Sequence, residues 1–419
     1  MTKSIDLRGP NSSTSRAQLS DAGPLRFAYG KSSHAPHPAS RGRAANRLSK
    51  AGSSHEAYMR LALKLAARGR GRTSPNPMVG AVLVSRGRII GRGYHGGPGT
   101  PHAEVVALQL AGDKASGATL YTNLEPCCHI PKRTPPCTKT IIQHRVRKVV
   151  IAMRDPNPQV RGRGLRELKK AGVLVQEGIL GQEAIRLNEA YVKYMTQKCP
   201  FVILKVAQSL DGKIATAGGE SRWITSEQSR IYIHRLRAQI DGVMIGVGTL
   251  LRDNPRLTAR TGAKQPRQPL RIVVDSTLRT PLDAQVIQQP TPGKTLIATT
   301  SQAPQARIRE LEKRGVKVLV AKERQGRVDL ADLMRLLGEM AVMTIMIEGG
   351  SELNASAIRQ GIVDKVLFFI TPRIIGGQDA KSSIGGVSPR HLSASIPIQD
   401  CQIKRIGPDL LLEGYMINS

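Results

Sequence analysis

Aromatic side chains are scarce in this chain of 419 residues, which has four Phe, eight Tyr and a single Trp. Its cores must rest on Val, Ile, Leu and Ala, and a surface that stacks single-stranded bases on interleaved aromatic rings has little to draw on. No run approaches 18 apolar residues, so no segment is long enough to cross a membrane as a helix. Cysteine is sparse too. Five residues, three of them clustered, do not make a disulfide framework in a chain of this size; reduced cytoplasmic thiols with the cluster on metal fit better. The last shortage is acid: 31 Asp and Glu face 63 Lys and Arg, for a net charge of +32. That excess suits a solvated basic surface, nucleic acid or phosphorylated small molecules, and charge alone does not choose among them.

Length argues for two domains. Residues 1–54 are rich in Ser, Arg, Ala, Gly and Pro, show no hydrophobic period, and hold nine Lys and Arg against two Asp and Glu. They read as a disordered basic extension. An Arg- and Ser-rich leader can target an organelle, but a clear amphipathic helix is missing, so the expected location is cytoplasmic. Order begins with "EAYMRLALKLAARG", where Tyr58, Leu61, Leu65 and Ala66 recur at helical spacing before Gly69. Two short strands in "VGAVLVSRGRIIGRGYH", a helix opened by "HAE", a strand in "ATLYTNLEP", a helix in "TKTIIQH" and a strand in "KVVIAM" follow. This alternation predicts an α/β layered domain over residues 55–198. From residue 199 to 419, apolar strands such as "FVILKVAQ", "LRIVVDS", "KTLIATT", "TIMIEGG" and "KVLFFIT" alternate with helical patterns, predicting a mostly parallel sheet covered on both faces.

The chemistry concentrates in "PHAEVVAL" and "LEPCCHIPKRTPPC". His and Cys thiolate are strong zinc ligands, and three protein ligands with one open position form the catalytic arrangement. His102, Cys127 and Cys137 supply that set. Both ends lie at strand-to-helix junctions, where a helix N-terminus favours a thiolate. Glu104, two residues beyond His102, is placed to move protons beside the metal without binding it. Zinc brings the pKa of water to about 7, which makes a nucleophile available at neutral pH. H-x-E followed by P-C-x-x-C is the zinc deaminase signature. Here "HAE" and "EPC" fit, but nine residues separate Cys127 from Cys137. A structural clip is disfavoured because it would use paired Cys spacing and four protein ligands.

These segments, with "SPNPMVGAVLV" and "MRDPNPQVRGRGLRELKKAG", resemble the bifunctional riboflavin-biosynthesis deaminase/reductase family. The family's usual Cys loop resembles EPCSHHGRTPPC; here Cys128 replaces the Ser, Ile130 and Pro131 replace His-Gly, and one residue is added. The resemblance implies a cytidine-deaminase-like three-layer domain and a substrate-holding role for Asn76, which alone would read as a turn residue. Lys132, Arg133 and Thr134 would suit a substrate phosphate. In the second half, Gly246-Val-Gly248 lacks the third glycine of a dinucleotide fingerprint, and "IMIEGGSELNASAI" is the better phosphate-binding turn. "VAQSLDGKIAT", "ESRWITS", "RLRAQIDGVMIGVGTLLRDNPRLTAR" and "DKVLFFITPRIIGG" match the reductase half of the same family, which is similar to dihydrofolate reductase in fold. By that resemblance Ala207, Trp223, Thr249, Asp253, Ser276, Gly350, Ser351, Glu352, Leu353, Asn354, Ala355 and Ser356 face NADPH. Ser221, Arg237, Leu257, Arg260 and Glu348 face a ribosylaminopyrimidine phosphate. The implied function is two consecutive riboflavin-biosynthesis steps with Zn2+ and NADPH, on a small-molecule substrate, without nucleic acid or membrane, in a homo-oligomer. The rivals are a nucleic-acid editing deaminase, a deaminase whose second domain no longer reduces, and a non-enzymatic zinc-stabilised binder.

Overall fold

The computed structural model describes residues 44–128, 135–288 and 294–417. The extension expected over 1–54 lies outside these as far as residue 43; helix α1 runs over Ala44–Ala66, with its side chains described from Ser54 onward. Strands β1 (Gly80–Ser85) and β2 (Arg88–Tyr94) form the expected hairpin. Helix α2 (Ala103–Ala111), strand β3 (Thr119–Leu124), helix α3 (Cys137–Gln143) and strand β4 (Lys148–Met153) follow. Helix α4 (Arg163–Lys170), strand β5 (Leu174–Gln176), and helices α5 (Gly181–Leu187) and α6 (Glu189–Gln197) complete the unit. The five strands lie in the order β2-β1-β3-β4-β5, with β3, β4 and β5 parallel.

Apolar positions of α1 (Met59, Ala62, Leu65), α2 (Ala103, Ala107, Leu108), α3 (Ile141) and α4 (Leu165, Leu168) join the strands in one core. Helix α2 lies very close to the hairpin. A Cβ at Gly91 or Gly93 of β2 would collide with the carbonyl oxygens of Ala107 and Ala103. These glycines let the backbones touch, and so fix where the first turn of α2 points.

The second unit opens with β6 (Phe201–Gln208), the short β7 (Lys213–Ala215), α7 (Glu227–Arg237), β8 (Gly242–Gly246) and α8 (Val247–Asp253). Next come β9 (Leu270–Val274), α9 (Gln285–Gln288), β10 (Thr295–Thr299), α10 (Gln305–Lys313) and β11 (Lys317–Val320). A two-residue ladder of β12 (Glu323–Arg324) and β13 (Arg327–Val328) precedes α11 (Leu330–Glu339), β14 (Thr344–Ile347), α12 (Ser351–Arg359) and β15 (Lys365–Ile370). The short β16 (Lys381–Ser382) and the hairpin β17 (Ile398–Ile406) with β18 (Asp409–Met416) close the chain. The large sheet runs β11-β10-β9-β8-β14-β6-β15-β18-β17, parallel through the first seven strands and antiparallel in the last two.

Both faces of this sheet are covered, as continuous apolar strands require. Along β6, Phe201 and Ile203 join one apolar cluster while Val202, Leu204 and Val206 join the other. The first cluster is closed by Ile233 of α7, Leu250 of α8 and Leu311 of α10; the second by Leu333, Met334 and Leu337 of α11 and by Leu353 and Ala357 of α12. The Gly246-Val-Gly248 segment runs from the last residue of β8 into the start of α8, with Gly246 as the helix cap.

Three residues separate α6 from β6, and polar contacts bridge the two units. Lys193 of α6 pairs with Asp364 at 2.6 Å, and Asp364 also accepts the Val202 N–H. Glu189 accepts the Tyr415 hydroxyl at 2.6 Å and pairs with Lys365 at 3.4 Å, while Tyr194 donates to the Gly338 carbonyl. Among the described residues, no helix is long and apolar enough to cross a membrane.

Candidate active sites

His102 caps α2 in extended backbone geometry, and Cys137 is the first residue of α3. Cys127 follows β3. Its carbonyl accepts the Thr138 N–H, and its Sγ lies 3.5 Å from the Cys137 amide nitrogen, so the two ends of the Cys loop are pinned together. His102 Nδ1 is 3.1 Å from Cys137 Sγ and 3.5 Å from Cys127 Sγ. All three ligand atoms lie within 4.8 Å of one another, and among the described residues this is the one His/Cys/Asp/Glu group so arranged. The donor set suits zinc with one position left open. Glu104, in the first turn of α2, is 3% exposed, and among the described residues its Oε2 has no hydrogen-bond partner. Burial pushes its carboxyl above the ordinary range, His102 opposes the rise and Cys127 adds to it. A buried carboxyl group beside three candidate metal ligands has the chemistry to hold and pass a proton.

The ligands open onto a cavity of about 300 Å³. Asn76 lines it, with Nδ2 3.1 Å from His95 Nε2; the His95 ring meets His102 edge-on at 5.4 Å. On the far wall the Asp155 carboxylate accepts the Tyr191 hydroxyl at 2.9 Å, and Glu125 accepts the backbone N–H groups of Asp155, Gly162 and Leu165. The Asn188 side chain accepts from Met78 N–H and donates to the Met78 carbonyl, which holds the Asn76 loop against α6.

A second cavity, of about 960 Å³, opens at the carboxyl ends of the parallel strands. Lys205 and Ala207 from β6, Gly246 and Thr249 at the start of α8, and Glu348 through Asn354 around the start of α12 contribute to its wall. Ligands of open α/β sheets bind in this crevice, and two helix N-termini facing it suit phosphate. Glu348 grips Arg237 with both oxygens, at 2.6 and 2.9 Å, and Lys205 lies 3.8 Å away. Burial opposes the Glu348 charge, but Arg237 and Lys205 outweigh it and hold the carboxyl at about 2. Trp223, 63% exposed, lines this cavity with the Arg230 guanidinium 4.5 Å from its ring centroid.

Two family descriptions divide the chain at the same place as the two sheets. "Cytidine and deoxycytidylate deaminase zinc-binding region" matches residues 52–153, and "RibD C-terminal domain" matches residues 200–412. The riboflavin biosynthesis protein RibD of Actinobacillus pleuropneumoniae is 45% identical over 361 residues, 86% of this chain and 95% of that protein. The chain belongs to the RibD family. RibD of Escherichia coli strain K12 is 42% identical over 85% of this chain and 98% of its own length. RibD of Acinetobacter baumannii (form 1) superposes with a TM-score of 0.78 at 33% identity, covering 87% of this chain and 99% of that one. A Thermotoga maritima diaminohydroxyphosphoribosylaminopyrimidine deaminase/5-amino-6-(5-phosphoribosylamino)uracil reductase superposes with a TM-score of 0.76 at 33% identity, over 87% and 99%. As in the rest of the RibD family, the protein is a bifunctional riboflavin-biosynthesis enzyme. A zinc-binding, cytidine-deaminase-like domain is joined to a reductase domain of the NADPH-dependent RibD type.

Within this RibD frame the sequence-derived residues separate. His102, Glu104, Cys127, Cys137 and Asn76 converge on the smaller cavity. Ala207, Ser221, Trp223, Arg237, Thr249, Asp253, Arg260, Glu348, Gly350, Ser351, Glu352, Leu353 and Asn354 line the larger one. Leu257 and Ala355 are buried, Ser356 is half-buried on α12, and the Ser276 hydroxyl accepts the Val328 N–H; these four do not line it. Lys132, Arg133 and Thr134 lie outside the described residues. The two arginines assigned to phosphate are not equivalent: Arg237 commits its fork to Glu348, whereas Arg260 is exposed. Sequence reasoning missed His95, Asp155 and Tyr191 in one cavity and Lys205, Arg230 and His234 in the other. Only the "DPNP" turn carrying Asp155 left a readable signal; His95 follows β2 in a Gly-rich loop, and the others sit in ordinary helix and strand patterns.

Proposed function

We propose that the smaller cavity deaminates 2,5-diamino-6-ribosylamino-4(3H)-pyrimidinone 5′-phosphate and that the larger one then reduces the ribosyl chain of the product to ribityl. The observation that carries the reading is the convergence of His102, Cys127 and Cys137 within 4.8 Å beside the open carboxylate oxygen of Glu104. Those three residues would hold zinc, whose Lewis acidity makes water nucleophilic near neutral pH when the metal is bound. Glu104 takes the proton from the attacking water and delivers it to the departing amine as the C–N bond at the 2-position breaks and ammonia leaves. Asn76, with His95 beside it, holds the pyrimidine edge.

The second cavity would hold NADPH, which would supply the hydride for the ribose C1 when bound. Gly350 through Asn354, Ala207, Trp223, Thr249 and Asp253 are assigned to the cofactor. Ser221, Arg260 and the Arg237–Glu348 pair are assigned to the substrate, with Arg260 on its phosphate. The domain limits are 1–54 for the basic extension, 55–198 for the deaminase and 199–419 for the reductase. Thiol ligands at the metal support a reducing, cytoplasmic setting. A cavity of about 300 Å³ suits one pyrimidine nucleotide rather than a nucleic acid strand. The exposed apolar residues Ile374, Val387, Leu392 and Ile403 support a homo-oligomer, which sedimentation of the full chain tests.

The decisive experiment incubates zinc-loaded protein with the diaminopyrimidine phosphate, first alone and then with NADPH. Ammonia release followed by loss of NADPH absorbance is expected. No ammonia from the zinc-loaded protein sinks the first assignment, and ammonia with unchanged NADPH sinks the second.

A further inference from the structure

The His234 ring stands between two groups that need opposite things from it. Its Nδ1 lies 3.1 Å from the Thr258 carbonyl, an acceptor, so that nitrogen carries the proton. Its Nε2 receives the Arg260 guanidinium twice, from Nε at 3.3 Å and Nη2 at 3.0 Å, so that nitrogen is the acceptor. One neutral tautomer satisfies both contacts at once. Burial, and then the charges of Arg237 and Arg260, hold the ring at about 4, so it stays neutral at working pH. Both His234 and Arg260 line the large cavity. Arg237, one turn further along α7, cannot serve in the same way, because Glu348 takes its fork and the Thr258 carbonyl takes its Nη1.

Among the described residues, His234 Nε2 is the hydrogen-bond partner of the Arg260 side chain. Arg260 is exposed and lies beyond the end of α8, outside regular structure. A long side chain in that position would lose rotamer entropy on meeting an anion. The ring nitrogen restricts it beforehand and leaves guanidinium N–H groups for a ligand. Thr258, two residues before Arg260, ties the same loop to the other ring nitrogen. One imidazole thus fixes both the backbone and the side chain of the Thr258–Arg260 segment.

We propose that His234 is a positioning residue for the reductase step, its Nε2 holding the Arg260 guanidinium where the substrate's 5′-phosphate binds. This rests on the assignment of Arg260 to the phosphate, and the test separates the two ideas. In the full chain, NADPH oxidation is followed with the deaminated substrate and with the same riboside lacking its 5′-phosphate. Four proteins are compared: wild type, Arg260→Ala, His234→Gln and His234→Asn. Gln reaches as far as Nε2 and keeps an acceptor for Arg260; Asn reaches only as far as Nδ1 and keeps the Thr258 contact. Arg260→Ala is expected to raise KM for the phosphorylated substrate about tenfold, the loss of one charge-assisted phosphate contact. His234→Asn should raise the same KM several-fold with kcat little changed, while His234→Gln stays near wild type. None of the variants should alter KM for the dephosphorylated riboside, and ammonia release by the other cavity monitors folding.

A normal KM in Arg260→Ala overturns the phosphate assignment itself. A raised KM in Arg260→Ala with a normal KM in His234→Asn overturns only the positioning role. Equal losses in Gln and Asn, or losses shared by both substrates, make His234 a structural residue and overturn the proposal.

Discussion

The deaminase cavity measures about 300 Å³ and the reductase cavity about 960 Å³, and the chain builds them on different principles. In the first, the reactive groups cluster in a few consecutive residues at two helix starts and one loop, and burial brings their atoms within 4.8 Å. In the second, the wall comes from many strand ends far apart in sequence, and no single residue dominates. A site that concentrates its chemistry fails when one atom is lost. A site that distributes it weakens by degrees.

The sharpest way to break this contrast is to remove the metal. Chelation, or Cys137→Ser, should abolish ammonia release while NADPH oxidation with the deaminated substrate continues at its former rate; parallel loss of both activities would mean that the sites are not independent. Next, Glu104→Gln should cost deamination on the order of 10³-fold, the range expected for a positioned proton carrier. Elemental analysis should still find one zinc per chain. Loss of zinc in that variant would make Glu104 a ligand instead.

On the reductase side the largest single effect should be on stability. Arg237→Met leaves Glu348 buried without its bidentate partner, and denaturant unfolding should show a loss of about 3 kcal/mol. The same pair predicts a pH dependence. Glu348 is held at about 2, below its ordinary value of 4.5, so its contribution is complete above pH 4.5 and fades as pH falls toward 2. The gap in urea midpoint between wild type and Glu348→Gln should narrow through that window; a constant gap would show that the carboxylate charge is not what matters. The smallest effect concerns the bridge between the units. Lys193→Met strips Asp364 of its cation and should cost about 1 kcal/mol. Because α6 also carries Tyr191 into the deaminase cavity, the deaminase KM should rise slightly while bound zinc is unchanged.

The unequal legibility of the two sites follows from the same contrast. "HAE" and "PCC…PPC" place ligand types at two helix starts and one loop, so three residues and a proton carrier could be named from residue type and the H-x-E and P-C pattern, although the gap between the end cysteines departs from the short-spaced signature. The alternation of strands and helices was equally plain, because continuous apolar strands such as "FVILKVAQ" have only one stable setting, between two helical layers. The terminal hairpin of β17 and β18 was not anticipated, since β17 is almost wholly exposed and lacks an apolar face. Nor was the role of Arg237 evident: a sequence shows an arginine, but only the fold shows that Glu348, 111 residues later, occupies its fork. His234 is hidden for the same reason, as both its partners lie in a loop more than 20 residues away.

The lone tryptophan has a practical consequence. Trp223 is the chain's one indole, and it stands at the wall of the reductase cavity. Its emission overlaps the absorbance of the reduced nicotinamide and not that of the oxidised form. The unlabelled enzyme therefore carries an optical reporter for its second reaction alone: cofactor docking should quench the signal and hydride transfer should restore it, while events at the metal cavity stay dark.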